Sequence, residues 1–175
     1  MQLRDYTGNR EAIPPLLPQM FAILSQNMRE IAPTGNTPEE DRASWEQAMG
    51  EELRNPDKHW ILLFSDEALA GYTLYRIAGD TLHMDEIQVA KGFQGDGRAF
   101  PMLMGQLLRD AQAAGTEVLQ SYVNKQNLKS WAILRGLGLT VVGETTRGFR
   151  CQGRAGDAQA WFEGKYANFV KCKLQ

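Results

Sequence analysis

Cysteine and histidine are scarce in this chain of 175 residues, which holds two of each. Cys151 and Cys172 are too few and too far apart for a disulfide framework, and His59 and His83 form no closely spaced group with them. Structural metal sites need such closely spaced cysteine and histidine ligands. We therefore expect reduced cysteines and no bound metal.

Long apolar runs and an excess of either charge are also missing. No stretch approaches the roughly 20 apolar residues that span a bilayer, and the N-terminus has no basic-then-apolar signal pattern. The 19 basic and 21 acidic residues leave a formal charge of −2, so we expect no broad basic surface that would attract nucleic acid. These features predict a soluble cytoplasmic protein with neither a membrane nor a nucleic-acid partner.

The bulk composition is that of an ordinary globular protein, with 43% hydrophobic and 23% charged residues. A length of 175 residues is enough for a sizeable core, and the sequence has no visible repeat or interdomain linker. We therefore expect a single domain over residues 1–175. The oligomeric state stays open, with a homodimer as one option.

Periodicity and capping signals predict the order strand, two helices, three strands, helix, strand, helix. The predicted helices cover residues 11–30, 38–53, 98–114 and 128–135, and the predicted strands cover residues 2–6, 59–64, 70–77, 81–89 and 118–123. Thr37, Pro38 and Glu40 form a strong helix start, whereas Pro18 is expected to kink the first helix. We expect two last strands at residues 140–146 and 166–174, joined by a long irregular excursion over residues 147–165.

A glycine-bearing turn between the strand at 81–89 and the helix at 98–114 is the most informative feature of the chain. Gly95 and Gly97 can adopt positive φ and carry no Cβ, so the backbone can curl under a ligand. The N–H groups at the start of the following helix point outward and carry about half a positive charge. The turn therefore favours a phosphate or pyrophosphate, although a Gly-Asp-Gly turn is also a common simple connector.

The spacing around this turn resembles the GNAT family of N-acetyltransferases. Gln94, Gly97 and Ala99 match the family's Gln/Arg-x-x-Gly-x-Gly/Ala motif, which binds the pyrophosphate of acetyl-coenzyme A. Lys91 stands where many members have proline. The resemblance implies acetyl-coenzyme A as the co-substrate. It also implies that the coenzyme is held by the strand end and the turn, namely Ile87, Gln88, Val89, Gln94, Gly95, Asp96, Gly97, Arg98 and Ala99.

A second block resembles the later motif of the same family, Asn-x-x-Ser/Ala, an aromatic residue, then Leu-Gly-Phe. Asn127, Ser130, Leu137, Gly138 and Leu139 fall on the matching positions. The resemblance implies that Asn127 and Ser130 also bind the coenzyme, although a helix cap explains Asn127 equally well. The two motifs together imply the GNAT fold, an α/β arrangement in which helices flank a mixed, mostly antiparallel sheet.

The resemblance also points to residues that could take the proton of the amine. In several members a histidine or glutamate on the strand before the turn does so, directly or through water. That strand carries His83, Asp85 and Glu86 here. Alternation places His83 and Asp85 on one face and Glu86 on the other, unless a bulge intervenes. Asp85 is the first candidate and Glu86 the second, against the alternative that both are solvated strand residues.

The leaving thiolate of the coenzyme needs a proton source as well. Leu134 stands where family members usually have a tyrosine general acid, so the source must differ in this chain. Tyr122, Tyr75 and Tyr72 lie on neighbouring predicted strands, with Ser121 behind them. We take Tyr122 as the residue candidate, with water as the other source. Packing within the sheet is an alternative explanation for each tyrosine.

The resemblance thus implies an enzyme that moves an acetyl group from acetyl-coenzyme A to a primary amine. A small-molecule amine is the first choice of acceptor, and a peptide N-terminus is the second. The acids of the strand favour an enzyme, whereas Leu134 favours a rival, a non-catalytic acyl-coenzyme A-binding module of GNAT fold. A nucleotide-binding regulatory protein would use the turn but would leave the block at residues 124–139 unexplained.

Overall fold

Strands and helices follow the predicted order over most of this computed structural model, which describes residues 1–167. The helices are α1 (Leu17–Met28), α2 (Pro38–Glu52), α3 (Ala99–Ala113), α4 (Leu128–Gly136) and α5 (Ala155–Lys165). The strands are β1 (Gln2–Asp5), β2 (Lys58–Ser65), β3 (Ala68–Ala78), β4 (Thr81–Val89), β5 (Val118–Asn124), β6 (Thr140–Glu144) and β7 (Gly148–Arg154). Within residues 1–167 no helix is both long and apolar enough to cross a membrane.

The strands form a seven-stranded sheet in the order β1-β2-β3-β4-β5-β7-β6. β4 and β5 are parallel, whereas β1 with β2, β5 with β7 and β6 with β7 are antiparallel. β4 leads into the glycine-bearing turn, and β5 leads into α4. The structure confirms the predicted mixed sheet flanked by helices, and it places each sequence motif directly after a strand.

Residue contacts divide the chain into two compact units. The first unit consists of residues 1–74 and 86–103, and the second consists of residues 75–85 and the described part of the chain from residue 104 onward. The first unit therefore contains β1, β2, α1, α2 and the glycine-bearing turn, and the second contains β5, β6, β7, α4 and α5. β3, β4 and α3 contribute residues to both.

The core of the first unit lies between α1 and the strands β2 and β3. Met20 of α1 is fully buried in one apolar cluster with Trp60 and Leu62 of β2 and Tyr72 of β3. Burial of a large apolar side chain contributes about 1.5–3 kcal/mol, so this cluster is a main source of stability for the unit. The alternating residues of β2 and β3 that enter it fix which side of each strand faces the helix.

The first helix begins later than the sequence predicted. Two short 3-10 turns, Arg10–Ala12 and Pro14–Leu16, come first, and the α-helix starts at Leu17. Pro18 lies in the first turn of α1 and does not kink the helix, so that prediction is wrong. The physical reason is that proline lacks an N–H and fits an α-helix only in its first turn, where no intrahelical acceptor is needed.

The second helix begins as predicted. The hydroxyl of Thr37 accepts a hydrogen bond from the N–H of Glu40 at 3.3 Å, and the Glu40 carboxylate accepts one from the N–H of Thr37 at 2.8 Å. Pro38 occupies the first turn. The capping signal in the sequence therefore corresponds to a real capping box.

The expected excursion over residues 147–165 is wrong, because this segment forms β7 followed directly by α5. Two of the four glycines in this segment, Gly148 and Gly153, are positions of close approach. A Cβ on Gly148 would lie 2.4 Å from the ring of Tyr122 and from the carbonyl oxygen of Val123. A Cβ on Gly153 would lie 2.9 Å from the carbonyl oxygen of Gly138. Both glycines let neighbouring backbone or side chains pack against β7, which is a known use of glycine in strands.

Only the start of the strand expected at residues 166–174 lies within the described residues. Tyr166 is the C-terminal cap of α5, so a strand does not start there. Residues 168–174 lie outside the described residues, as does Cys172. Cys151 on β7 is a free and buried thiol.

Candidate active site

The glycine-bearing turn belongs to the first unit and joins β4 to α3. Gly95 has φ +90° and Gly97 has φ +72°, a left-handed conformation that other residues rarely adopt. No atom lies within 4 Å of a Cβ built on either glycine. The turn therefore presents open backbone, as the sequence predicted.

The backbone N–H groups of this turn divide into two sets. In the part of the chain that the structure describes, those of Gly95, Asp96 and Gly97 donate to no protein acceptor. Those of Arg98 and Ala99 donate to the carboxylate of Asp96, at 2.8 Å and 3.2 Å. Three successive donors are thus open to an anion from outside, while the start of α3 already holds an anion of its own.

Asp96 is ionised at neutral pH. Burial acts to raise its pKa, but the hydrogen bonds from Arg98 and Ala99 and the charge of the Arg98 guanidinium outweigh burial and lower the pKa. The guanidinium Nε lies 3.6 Å from a carboxylate oxygen of Asp96. A negative charge therefore lies at the edge of the glycine-bearing turn.

Gln94 connects the turn to the end of β4. Its side-chain amide donates to the carbonyl oxygen of Val89 and to the side-chain oxygen of Asn27, each at 2.9 Å. Asn27 in turn donates to the carbonyl of Val89 at 3.1 Å and to the side chain of Gln88 at 3.0 Å. This network fixes the peptide at Val89. Ile87, two residues earlier on β4, is half-buried. No sequence signal pointed to Asn27, which lies in the last turn of an apolar helix.

Glu86 also belongs to the first unit. Its carboxylate accepts a hydrogen bond from the hydroxyl of Tyr72 at 2.8 Å, and its carbonyl accepts one from the hydroxyl of Thr73 at 3.0 Å. Burial, and then the charge of Glu86, raise the pKa of Tyr72 well above its ordinary value. Tyr72 therefore stays protonated and holds Glu86 against β3.

His83, Asp85 and Tyr122 come together in the second unit, where they line one open cavity of about 440 Å³. The carboxylate of Asp85 binds the guanidinium of Arg76 through two contacts, at 3.1 Å and 3.2 Å. Arg150 lines the same cavity. The alternation along β4 explains why His83 and Asp85 share this surface. Arg76 and Arg150 were not among the candidates from the sequence.

The tyrosines considered as proton donors have different surroundings. Tyr75 is fully buried and donates its hydroxyl to the carboxylate of Asp110. Tyr122 is 51% exposed, and its hydroxyl lies 2.9 Å from that of Thr145. Ser121 donates to the carbonyl of Met84 at 3.1 Å. Tyr122 is therefore the exposed phenol among those considered.

The second motif block begins α4 in the second unit. The side-chain oxygen of Asn127 accepts a hydrogen bond from the N–H of Ser130 at 3.1 Å, which caps the helix. Leu134, at the position that a tyrosine usually holds, is 7% exposed and packs in the core. The cap explains Asn127 structurally, and a role in coenzyme binding remains a prediction.

A comparison with known protein families gives a match over most of the chain. The family model described as the acetyltransferase (GNAT) family matches residues 17–139. A search of curated proteins gives no match.

Solved structures resemble the chain over most of its length. The PaiA N-acetyltransferase of Thermoplasma acidophilum, solved with coenzyme A, is 15% identical with a TM-score of 0.69, covering 88% of this chain and 99% of that one. An aminoglycoside 6′-acetyltransferase type Ii is 14% identical with a TM-score of 0.64, covering 89% and 97%. YncA of Salmonella typhimurium, described as holding its cofactor acetyl-CoA, is 18% identical with a TM-score of 0.55, covering 89% and 94%. Such low identities show a shared fold. The match of the family model to most of the chain shows that it belongs to the GNAT acetyltransferase family, whose members carry out acyl transfer from acetyl-coenzyme A.

Proposed function

We propose that the protein acetylates a primary amine of a small molecule, using acetyl-coenzyme A as the acyl donor. The neutral amine nitrogen forms a bond to the thioester carbonyl carbon, and the carbon–sulfur bond then breaks. The amine loses a proton, and the departing thiolate gains one. The products are an N-acetyl amide and free coenzyme A thiol. A peptide N-terminus is the second choice of acceptor.

The observation that carries this proposal is the set of open backbone donors in the glycine-bearing turn. The N–H groups of Gly95, Asp96 and Gly97 have no acceptor within residues 1–167, and the positive φ of both glycines lets the backbone face a ligand. A pyrophosphate is the anion that suits such a row of donors at a helix start. The side chain of Arg98 supplies a positive charge at the same place.

The cavity of the second unit is the proposed acceptor site. Asp85 attracts the ammonium form of the acceptor and helps to remove its proton, because a nearby carboxylate favours a cation and can accept a proton. Arg76 holds Asp85 in position through two contacts. His83 lines the same cavity, and its imidazole is a second group that can accept a proton from the amine. Glu86 is assigned a lesser part, because unlike Asp85 it does not line this cavity.

The proton for the thiolate comes from water in this proposal. Leu134 carries no proton to donate and is buried. Tyr122 is the residue alternative, because its phenol is exposed and lines the cavity. Asn127 and Ser130 stay proposed coenzyme contacts. We further propose that residues 1–175 work as one domain in the cytoplasm, without a metal or a nucleic-acid partner.

The test is release of free coenzyme A thiol from acetyl-coenzyme A with a panel of amines, polyamines, amino sugars and peptides. The proposal predicts release that depends on the acceptor, together with an acetylated product detected by mass spectrometry. Tight binding of acetyl-coenzyme A without transfer to any acceptor would instead support the non-catalytic module. Binding of a nucleoside triphosphate in place of the coenzyme would support the regulatory alternative.

A further inference from the structure

Three residues stand in one row across β5, β7 and β6 of the second unit. Arg150 on β7 lies opposite Tyr122 on β5 and opposite Gly143 on β6. Residues directly opposite one another on paired strands point to the same face of a sheet. All three line the cavity that also contains His83 and Asp85. The row therefore forms one wall of the proposed acceptor site.

Two glycines leave space for the side chains of Arg150 and Tyr122. A Cβ on Gly143 would lie 3.1 Å from Nη2 and 3.3 Å from Nε of Arg150. A Cβ on Gly148 would lie 2.4 Å from the Cζ atom of Tyr122. The guanidinium and the phenol thus lie close against the β6–β7 hairpin at positions where larger residues would displace them.

The charge of Arg150 is uncompensated within residues 1–167, where its guanidinium has no hydrogen bond or ion pair. Other charged groups of the same cavity are paired, Asp85 with Arg76 and Glu144 with Lys125. A guanidinium offers five donors in a planar fork, a geometry that fits the oxygens of a carboxylate or phosphate. The guanidinium of Arg150 thus lies in the same cavity as Asp85, the acid proposed to bind the amine.

We propose that Arg150 binds an acidic group, carboxylate or phosphate, on the acceptor itself. The acceptor is then a zwitterionic amine, such as an amino acid, and not a simple amine or a polyamine. Its ammonium is drawn to Asp85 and its acidic group to Arg150. This inference rests on the proposed acetyltransferase function and adds the chemical class of the acceptor.

The test compares acceptors that differ in the acidic group. The probes are the twenty standard L-amino acids, the corresponding amino acid amides, ethylamine and O-phosphoethanolamine, each assayed by thiol release. The parent protein is compared with Arg150→Gln and with Arg147→Gln. Arg147 is a matched control, because it lies on the same hairpin, carries the same charge and is not part of the cavity wall.

We expect at least one acid-bearing acceptor to exceed its neutral counterpart in kcat/KM by tenfold or more. Arg150→Gln should reduce that preference by about tenfold to a hundredfold, mainly through KM, the size expected for lost hydrogen bonds between charged groups. Arg147→Gln should keep the preference. A preference for O-phosphoethanolamine would assign the acidic group as phosphate, and a preference for an amino acid would assign it as carboxylate.

Two results would overturn the inference while leaving the proposed function intact. One is equal or faster acetylation of the amides and ethylamine by the parent protein. The other is an Arg150→Gln variant that loses the same fraction of activity with every acceptor. If none of these probes is acetylated, the inference fails, and the proposed function fails with it only when the wider panel of amines, polyamines, amino sugars and peptides also gives no product.

Discussion

The buried phenol of Tyr72 donates a hydrogen bond to the carboxylate of Glu86 at 2.8 Å. Tyr72 is 0% exposed and belongs to the apolar cluster of the first unit. A hydrogen bond to a charged group in such surroundings is stronger than one in water. Glu86 is thus held against β3 and, unlike Asp85, does not line the proposed acceptor cavity, which supports placing Asp85 ahead of Glu86 as the acid that acts on the amine.

Replacing Tyr72 with Phe is expected to lower the free energy of unfolding by about 1.5–3 kcal/mol, the size expected for a hydrogen bond to a charged group. Urea unfolding at pH 7 measures this loss in the free energy of unfolding. Tyr122→Phe is the matched control, because Tyr122 is 51% exposed and its phenol contacts a neutral hydroxyl. A Tyr72→Phe protein as stable as the parent would show that the hydrogen bond contributes nothing.

The Tyr72–Glu86 hydrogen bond also predicts that the free energy of unfolding depends on pH. The pKa of Tyr72 is raised from 10.0 in the folded protein, so above pH 10 the unfolded chain loses this proton while the folded chain keeps it. The contribution of Tyr72 to stability is therefore complete below about pH 10 and is lost as the pH rises further. The parent should lose stability more steeply than Tyr72→Phe between pH 9 and pH 11. Parallel curves for the two proteins would argue against a raised pKa.

Asp96 is expected to weaken coenzyme binding, because its ionised carboxylate stands beside the donors proposed for the pyrophosphate. A unit charge about 4 Å away in a high-dielectric setting is worth about 1 kcal/mol, so Asp96→Asn should bind acetyl-coenzyme A about fivefold more tightly. Calorimetry at low salt measures the change. Asp66→Asn removes the same charge from a turn where Asn is tolerated at the observed φ of 52°, and it should leave the affinity unchanged. Weaker binding by Asp96→Asn would mean that the carboxylate supports the turn more than it repels the ligand.

Asp85→Asn is expected to lower turnover at neutral pH by about a hundredfold, the lower range for a general base. Part of the loss should return at alkaline pH, where free amine is plentiful, and coenzyme affinity should not change. Asp80→Asn, in the turn before β4, removes the same charge outside the cavity wall and serves as the control. Equal turnover of Asp85→Asn and the parent across the pH range would return Asp85 to the role of a solvated strand residue.

Tyr122→Phe tests the source of the thiolate proton. If water supplies the proton, turnover should change little, because the exposed phenol then has only its contact with Thr145 to lose. Single-turnover kinetics with a good acceptor separate this step from product release. A loss of about a hundredfold or more would show that Tyr122 is the general acid in place of the tyrosine that Leu134 replaces.

Local sequence signals predicted the parts of the fold that local chemistry determines. The capping box of Thr37 and Glu40, strand β4 and the positive φ of Gly95 and Gly97 all depend on neighbours in the chain. Gly148 and Gly153 misled the sequence interpretation, because each glycine makes room for atoms of a segment that is distant in the sequence.

In the candidate site, too, some residues could be predicted from local sequence, whereas others are brought there by tertiary structure. His83, Asp85 and the turn could be named from a family resemblance, since they follow one another along a single strand and its connection. Asn27 and Arg150 could not, because each reaches its place through tertiary structure. Asn27 contacts residues 61 and 62 positions away, and Arg150 enters the cavity through the pairing of β7 with β5 and β6.

The most direct test of the central claim is the calorimetric affinity of acetyl-coenzyme A for Gly97→Val. Valine is strained at the φ of +72° and places a side chain over the open donors, so binding should be lost. Gly92→Val is the matched control, because Gly92 lies just before the turn with open space around it and without a positive φ. Circular dichroism and thermal unfolding establish that both variants are folded. The account predicts lost binding for Gly97→Val and retained binding for Gly92→Val, and an unchanged affinity in folded Gly97→Val would contradict it.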